Sequence, residues 1–323
     1  MVAFGDALRQ LRTERGLTVT ELAKRIHFSK SHVNNVEHGT KYPSEEFAQA
    51  CDDALRTHGV LRALVPERRP RLSAAAVRPA QLPPGTRHFV GRAEQLLWLD
   101  DLRLGHDGPL VIGIDGKPGV GKTALALAWS RGVQDFYPDG VLFADLRGHS
   151  PTHPPAEPGE VLEEFLRALG VSADLVPNTV QERTALYRSL LDGRQILMVL
   201  DNAASSSQVR PLLPGAKSNV AVVTGRARLS NLAVHEGAFL LTLGVFTPEE
   251  ATALMRDVVG AERVDAHPEA AADVARRCAY LPLAVRLAAE RIADRPQLTL
   301  VKLADELAAE HAQCTASDVI RSH

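Results

Sequence analysis

The sequence predicts an α/β chain in three parts: an all-α head, a parallel-sheet core and a C-terminal helical bundle. Three observations predict it. Leu110, Val111, Ile112, Gly113 and Ile114 form a continuous apolar run that enters a glycine-rich loop and then the helix-forming Ala124, Leu125, Ala126, Leu127, Ala128 and Trp129. Further strand-length runs at 141–144, 196–200, 219–224 and 239–243 alternate with amphipathic stretches, as parallel strands covered on both faces do. On either side of this region the apolar residues recur at helical spacing.

Length and composition narrow the field. A chain of 323 residues has room for two or three cores, and 45% hydrophobic with 24% charged residues is ordinary for a water-exposed protein. A net charge of −2 excludes a molecule that binds nucleic acid through its overall charge. Cys51, Cys278 and Cys314 are far apart and have no metal spacing, and the twelve histidines show no zinc-ligand pairing. No apolar run approaches the ~20 residues that span a bilayer, and no signal peptide is present. The expectation is a cytoplasmic chain with idle thiols and no membrane partner.

Residues 1–65 read as short helices, with Leu8, Leu11, Leu17, Leu22, Ile26, Val33 and Val36 at helical intervals. Thr18 with Glu21 three residues on is a capping box, so a helix over 20–25 follows. After a turn at His27 and Phe28, Ser29 caps a second helix that ends at Gly39. Two short helices around a tight turn are helix-turn-helix architecture, and residues 16–43 resemble the Cro/phage-repressor type of DNA-binding domain. In that type the second helix enters the major groove. Val33 and Val36 face the core, which leaves Lys30, Ser31, Asn34 and Asn35 as the expected contacts to double-stranded DNA. Val19 stands where such domains often place a phosphate-binding glutamine. Residues 1–43 hold seven Lys/Arg against four Asp/Glu, a balance of only +3. A helical adaptor that contacts protein is the alternative reading of the head.

Residues 66–87 carry five prolines and five arginines against one acid, Glu67, and read as an extended basic tether. From 88 to 246 the α/β pattern holds. The loop Gly116-Lys117-Pro118-Gly119-Val120-Gly121-Lys122-Thr123 fits G-x-x-x-x-G-K-[ST] between a strand and a helix, the context in which backbone amides cradle nucleotide phosphates. Pro118 has no amide, so Gly116, Gly119, Val120, Gly121 and the residues up to Ala124 do the cradling. Lys122 reaches the β- and γ-phosphates, and the Thr123 hydroxyl holds Mg²⁺. Asp201 follows the five apolar residues 196–200 of a buried strand, where an acid holds the metal through water. From 247 to 311 the chain reads as helices near 251–259, 269–279, 283–292 and 299–311, followed by a polar tail at 312–323.

Six motifs in order extend this reading. They are Phe89-Val90-Gly91-Arg92 with Leu96, the phosphate loop, Asp145-Leu146-Arg147-Gly148, Val199-Leu200-Asp201-Asn202, Val223-Thr224-Gly225-Arg226, and Leu281-Pro282-Leu283-Ala284. With them, residues 87–311 resemble the NB-ARC (STAND-class) ATPases, and the head in front resembles the actinobacterial regulator subgroup. The resemblance implies that Val90 and Arg92 border the adenine of ATP or ADP, that Pro282 caps it, and that Arg226 senses the γ-phosphate. A structural ion pair is the alternative for Arg226. Asn202 departs from the pattern, since many relatives carry a second acid there that activates water. The family continues into a winged helix whose histidine contacts the ADP β-phosphate, so a closed ADP lock is not assumed for these residues. The implied function is a slow ATPase acting as a switch for a DNA-binding transcriptional regulator that self-associates in its ATP state. The alternative is a signalling or defence scaffold whose head binds protein.

Overall fold

The computed structural model describes residues 4–39, 41, 43–65, 78–106, 108–226, 229–295 and 297–309. The polar tail and Cys314 lie outside the described residues.

The head is built from α1 (Phe4–Glu14), α2 (Val19–Arg25), α3 (Lys30–Glu37), α4 (Glu45–Leu55) and the short α5 (Val60–Ala63). Local chemistry sets α2 and α3 as expected. Thr18 and Glu21 close a capping box, and Ser29 Oγ accepts from His32 N at 3.1 Å. Leu8, Leu22, Val33, Val36, Phe47, Leu55 and Leu61 are sealed in one core. Gly5 lets α1 cross α3 at backbone distance, because a Cβ there would sit 2.7 Å from the carbonyl oxygens of Val36 and Glu37. Arg12 then grips Glu37 with two bonds of 2.6 and 2.9 Å. Cys51 belongs to this core, and burial pushes its thiol up to about 12, which leaves it inert.

The expected tether falls into two pieces. Residues 66–77 lie outside the described residues, whereas 78–87 do not hang free. Gln81 N donates to Val141 O at 3.1 Å, Val141 N donates to Pro79 O at 2.8 Å, and Gln81 Oε1 accepts from Phe143 N at 3.1 Å. The segment therefore covers the outer edge of the sheet.

Five parallel strands make that sheet: β1 (Leu110–Asp115), β2 (Gly140–Asp145), β3 (Ile196–Ala203), β4 (Val220–Gly225) and β5 (Phe239–Thr242), in the order β2-β3-β4-β1-β5. Around it run α6 (Ala93–Gly105), α7 (Lys122–Val133), α8 (Pro158–Ala168), α9 (Val180–Leu191), α10 (Ser206–Val209) and α11 (Ser230–Glu236). Apolar cores on both faces of the sheet explain the uninterrupted hydrophobic runs of the inner strands. From β1 the chain crosses to the far edge, steps back through β3 and β4, and then crosses β1 to reach β5. This reversal places the carboxyl end of β1 at the crevice where open α/β sheets bind ligands.

The bundle holds α12 (Pro248–Val259), α13 (Ala261–Asp265), α14 (Pro268–Arg277), α15 (Pro282–Ala293) and a helical stretch at 300–309 around its own core of Leu254, Met255, Val274, Val285, Ala289 and Ile292. Thr247 and Glu250 cap α12 as a box, and Pro282 begins α15 where its missing N–H costs nothing. Among the described residues no helix is long and apolar enough to cross a membrane.

Candidate functional site

The phosphate loop leaves β1 and enters α7 at Lys122. Its glycines are required by backbone shape. Gly116 has φ +145°, and a Cβ there would strike Leu243 O at 2.5 Å; Gly119 has φ +78° and a Cβ would press on Leu281 and Leu283 at 3.2 Å. Lys122 Nζ donates to Gly116 O and Lys117 O, both at 2.9 Å, so its ammonium is curled onto the loop's own carbonyls. Burial lowers the Lys122 pKa, and Arg226 lowers it further. Asp201 and Asp115 act the other way and partly offset this.

Thr123 and Asp201 meet, as expected for a metal-holding pair. The Thr123 hydroxyl donates to the two Asp201 carboxylate oxygens at 2.8 and 3.1 Å. Thr224, at the end of β4, donates to Asp201 Oδ1 at 2.6 Å, and Asn202 N donates to Thr224 Oγ1 at 2.9 Å. Asp201 is only 8% exposed, and burial raises its pKa against these hydrogen bonds. A hydroxyl beside a carboxylate offers hard oxygen donors, and Mg²⁺ takes one or two protein oxygens and keeps waters and phosphates for the rest. The pair fits Mg²⁺ on those terms. Among the described residues no cluster of three or more His, Cys, Asp or Glu forms a metal cage.

Beside the loop lies a cavity of about 320 Å³. Val90, Arg92, Gly119, Val120, Gly121, Lys122, Thr123, Ala124 and Pro282 all line it, together with Phe89, Phe246 and Leu254. Arg92 borders it through a buried guanidinium that donates to Val120 O at 3.1 Å and Gly244 O at 2.7 Å and lies 4.7 Å over the Phe246 ring. That residue fixes the loop's shape. The bundle closes the cavity: Leu283 N donates to Gly119 O at 3.1 Å, so the start of α15 is fastened to the phosphate loop. Gly116, Asp201 and Arg226 are outside the cavity lining, toward the end where Lys122 and Thr123 stand. Arg226 is exposed just past β4.

Three neighbours were given no site role by the sequence reading, although Asp145 and Thr224 stand in its motifs. Thr224 holds Asp201; Asp145 accepts from Asn202 Nδ2 at 3.5 Å; and His149 has a buried Nε2 without a hydrogen bond. Gly148 N donates to Asn202 O at 2.7 Å, which ties the His149 loop to β3. Burial, Arg226 and Lys122 in that order hold the His149 imidazole below its ordinary pKa. Their only sequence signal was membership of runs flanking Asp145 and Arg226.

In the head, Lys30, Ser31, Asn34 and Asn35 are exposed on α3, opposite the buried Val33 and Val36. Residues 3–65 match the family described as a helix-turn-helix domain. The head is a helix-turn-helix domain. The chain is similar to Regulatory protein AfsR of Streptomyces coelicolor, at 45% identity over 245 residues covering 74% of this chain and 24% of the relative. It is likewise 44% identical over 270 residues to Regulatory protein AfsR of Streptomyces griseus, covering 83% of this chain and 27% of that one. Matches of that length extend well beyond the helix-turn-helix domain, so the similarity is not confined to the head. It spans about a quarter of the length of these curated relatives. Among solved structures, a STAND protein with a tetratricopeptide repeat sensor from Pyrococcus horikoshii is 23% identical, with a TM-score of 0.45 over 71% of this chain and 33% of that one. A Walker-type ATPase of Pyrococcus abyssi is 12% identical, with a TM-score of 0.45 over 75% and 79%.

Proposed function

We propose that this chain is a DNA-binding transcriptional regulator switched by ATP and ADP, with an NB-ARC-type (STAND-class) nucleotide module behind a helix-turn-helix head. The observation that carries the reading is the convergence of one loop, one buried acid and one lid. Lys122, Thr123 and Asp201 meet at the phosphate end, while Val90, Arg92 and Pro282 line the adjoining cavity under α15. Loop amides and the start of α7 orient the phosphates, and Lys122 turns from its own carbonyls to phosphate oxygens. Thr123 and Asp201 hold Mg²⁺, which neutralises phosphate charge when bound. Arg226 meets the γ-phosphate, the one group that separates ATP from ADP.

Hydrolysis is slow in this reading. The carboxamide of Asn202 takes no proton from water, and general-base help contributes typically 10²–10⁴-fold. The nucleotide then acts as a timer. In the ATP state copies of the chain associate and pair their heads, which raises DNA affinity through effective concentration. The relatives' printed name, regulatory protein, and the helix-turn-helix match support a DNA-directed output.

Selection from a random duplex pool by the full chain tests the DNA half. Enrichment of a paired motif, with base preference relaxed in the Asn34→Ala/Asn35→Ala variant, is expected. A pool with no enriched motif, and a double variant indistinguishable from wild type, would make the head a protein adaptor and the chain a signalling scaffold.

A further inference from the structure

The DNA-reading helix is not open to solvent on every side. The backbone just past its C-terminal end rests on α6. Arg103 Nη2 donates to Gly39 O at 2.5 Å, and the same guanidinium lies 4.1 Å over the Phe136 ring. Leu104 packs directly on Gly39, where a Cβ would sit 3.2 Å from Leu104 Cδ2. Between head and core is a cavity of about 450 Å³, lined by Asn35 and Lys41 on one side and Leu96, Asp100, Trp129 and Asp135 on the other. Asp100 accepts from Trp129 Nε1 at 3.0 Å, which holds that carboxylate on the cavity wall.

We infer that the face formed by α6 and the residues around the end of α7 is a docking surface for the DNA-reading helix of this same chain, and that duplex DNA and the core compete for that helix. The inference rests on the reading that α3 enters the major groove. That groove is about 12 Å wide, and a helix lying in it has DNA along both flanks. Asn35 and Lys41 border the cavity against the core in the docked head, so a duplex along that flank contends with the core for the same space. The wall also carries carboxylates, Asp100 and Asp135, where DNA carries phosphates.

The contact is slight, and the chain's connectivity makes it sufficient. Residues 66–77 join the head to a segment fixed on the sheet edge, and a short linker gives an effective concentration of about millimolar. A contact with a dissociation constant of about 0.1–0.5 mM is then about 70–90% closed. Apparent DNA affinity falls by the open fraction, so docking weakens it about three- to tenfold.

The test uses the full chain and a duplex from random-pool selection. Arg103→Ala removes the clasp on Gly39. Leu104→Ser is the companion variant, since Leu104 is 54% exposed and its loss leaves the cores intact. Both are expected to bind the duplex about three- to tenfold tighter than wild type. The chain's two tryptophans, Trp98 and Trp129, lie on α6 and α7, so adding duplex should shift the emission of wild type and leave that of the variants unchanged. Wild-type affinity in both variants overturns the competition. If no duplex binds any of the three proteins, the reading of α3 fails and the competition fails with it. A difference in emission between wild type and Leu104→Ser without DNA would then still assign the docking surface.

Discussion

At the residue scale, the proposed nucleotide site turns on Lys122 and Asp201. Lys122 is held by two carbonyls that offer it no net charge, so a phosphate gains a charge-assisted contact when it takes their place. Such a contact contributes ~1.5–3 kcal/mol, so Lys122→Ala should weaken both ATP and ADP binding at least about tenfold by calorimetry. Equal affinities would remove Lys122 from the site. Asp201 makes the opposite case. It is a buried carboxylate whose charge is disfavoured by its surroundings, and Asn is its neutral isostere. Asp201→Asn should leave the ligand-free chain at least as heat-stable as wild type while erasing the extra stabilisation that Mg²⁺ adds to ATP. A ligand-free variant that melts earlier while keeping the Mg²⁺ effect would contradict the role given to Asp201. Lys122, Thr123 and Asp201 were legible because loop spacing and strand position announce them. Thr224 and His149 were not, because a lone hydroxyl or imidazole acquires its meaning only when the sheet brings its strand beside β3.

At the element scale, local chemistry set what the sequence made legible. Thr18 and Ser29 bounded the helix-turn-helix correctly because a capping side chain needs only its own backbone neighbours. Replacing Thr18 by Ala should destabilise the head by about 1 kcal/mol, read as a lower denaturation midpoint of the head's signal. No change would mean that tertiary packing alone places α2. The segment 78–87 read as a tether because its prolines resemble a spacer, yet Pro79 needs only its carbonyl to hold Val141 N, and that bond exists only once β2 does. Helix α6 had no amphipathic stripe to reveal it: Leu96, Leu97, Trp98, Leu99, Leu102 and Leu104 point all round it, some to the core and some to the head. The fastening of α15 to the loop was equally hidden. Gly119→Ala should push on Leu281 and Leu283, strain the loop at its positive φ, and weaken nucleotide binding. Unchanged affinity in that variant would show that neither the loop's shape at Gly119 nor its packing on α15 matters to binding.

At the scale of the whole molecule, a balance of +3 over residues 1–43 makes one head a weak and salt-sensitive DNA binder. In the proposed reading, two heads set one helical turn apart, about 34 Å, would supply both affinity and a symmetric site. ATP turnover should be well below ~1 s⁻¹, under the common enzyme range, because Asn202 stands where an acid would activate water. Purified protein turning over faster without DNA or partner would refute the timer. The central claim joins the two ends of the chain: the nucleotide held at Lys122 sets how tightly Lys30, Ser31, Asn34 and Asn35 hold DNA. It is tested most directly by measuring affinity for one selected duplex with Mg·ATP and with Mg·ADP, in wild type and in Lys122→Ala. The account predicts binding at least about tenfold tighter with ATP in wild type, the scale of an ordinary allosteric coupling, and no nucleotide effect in the variant. Equal affinity with ATP and ADP in wild type would contradict it.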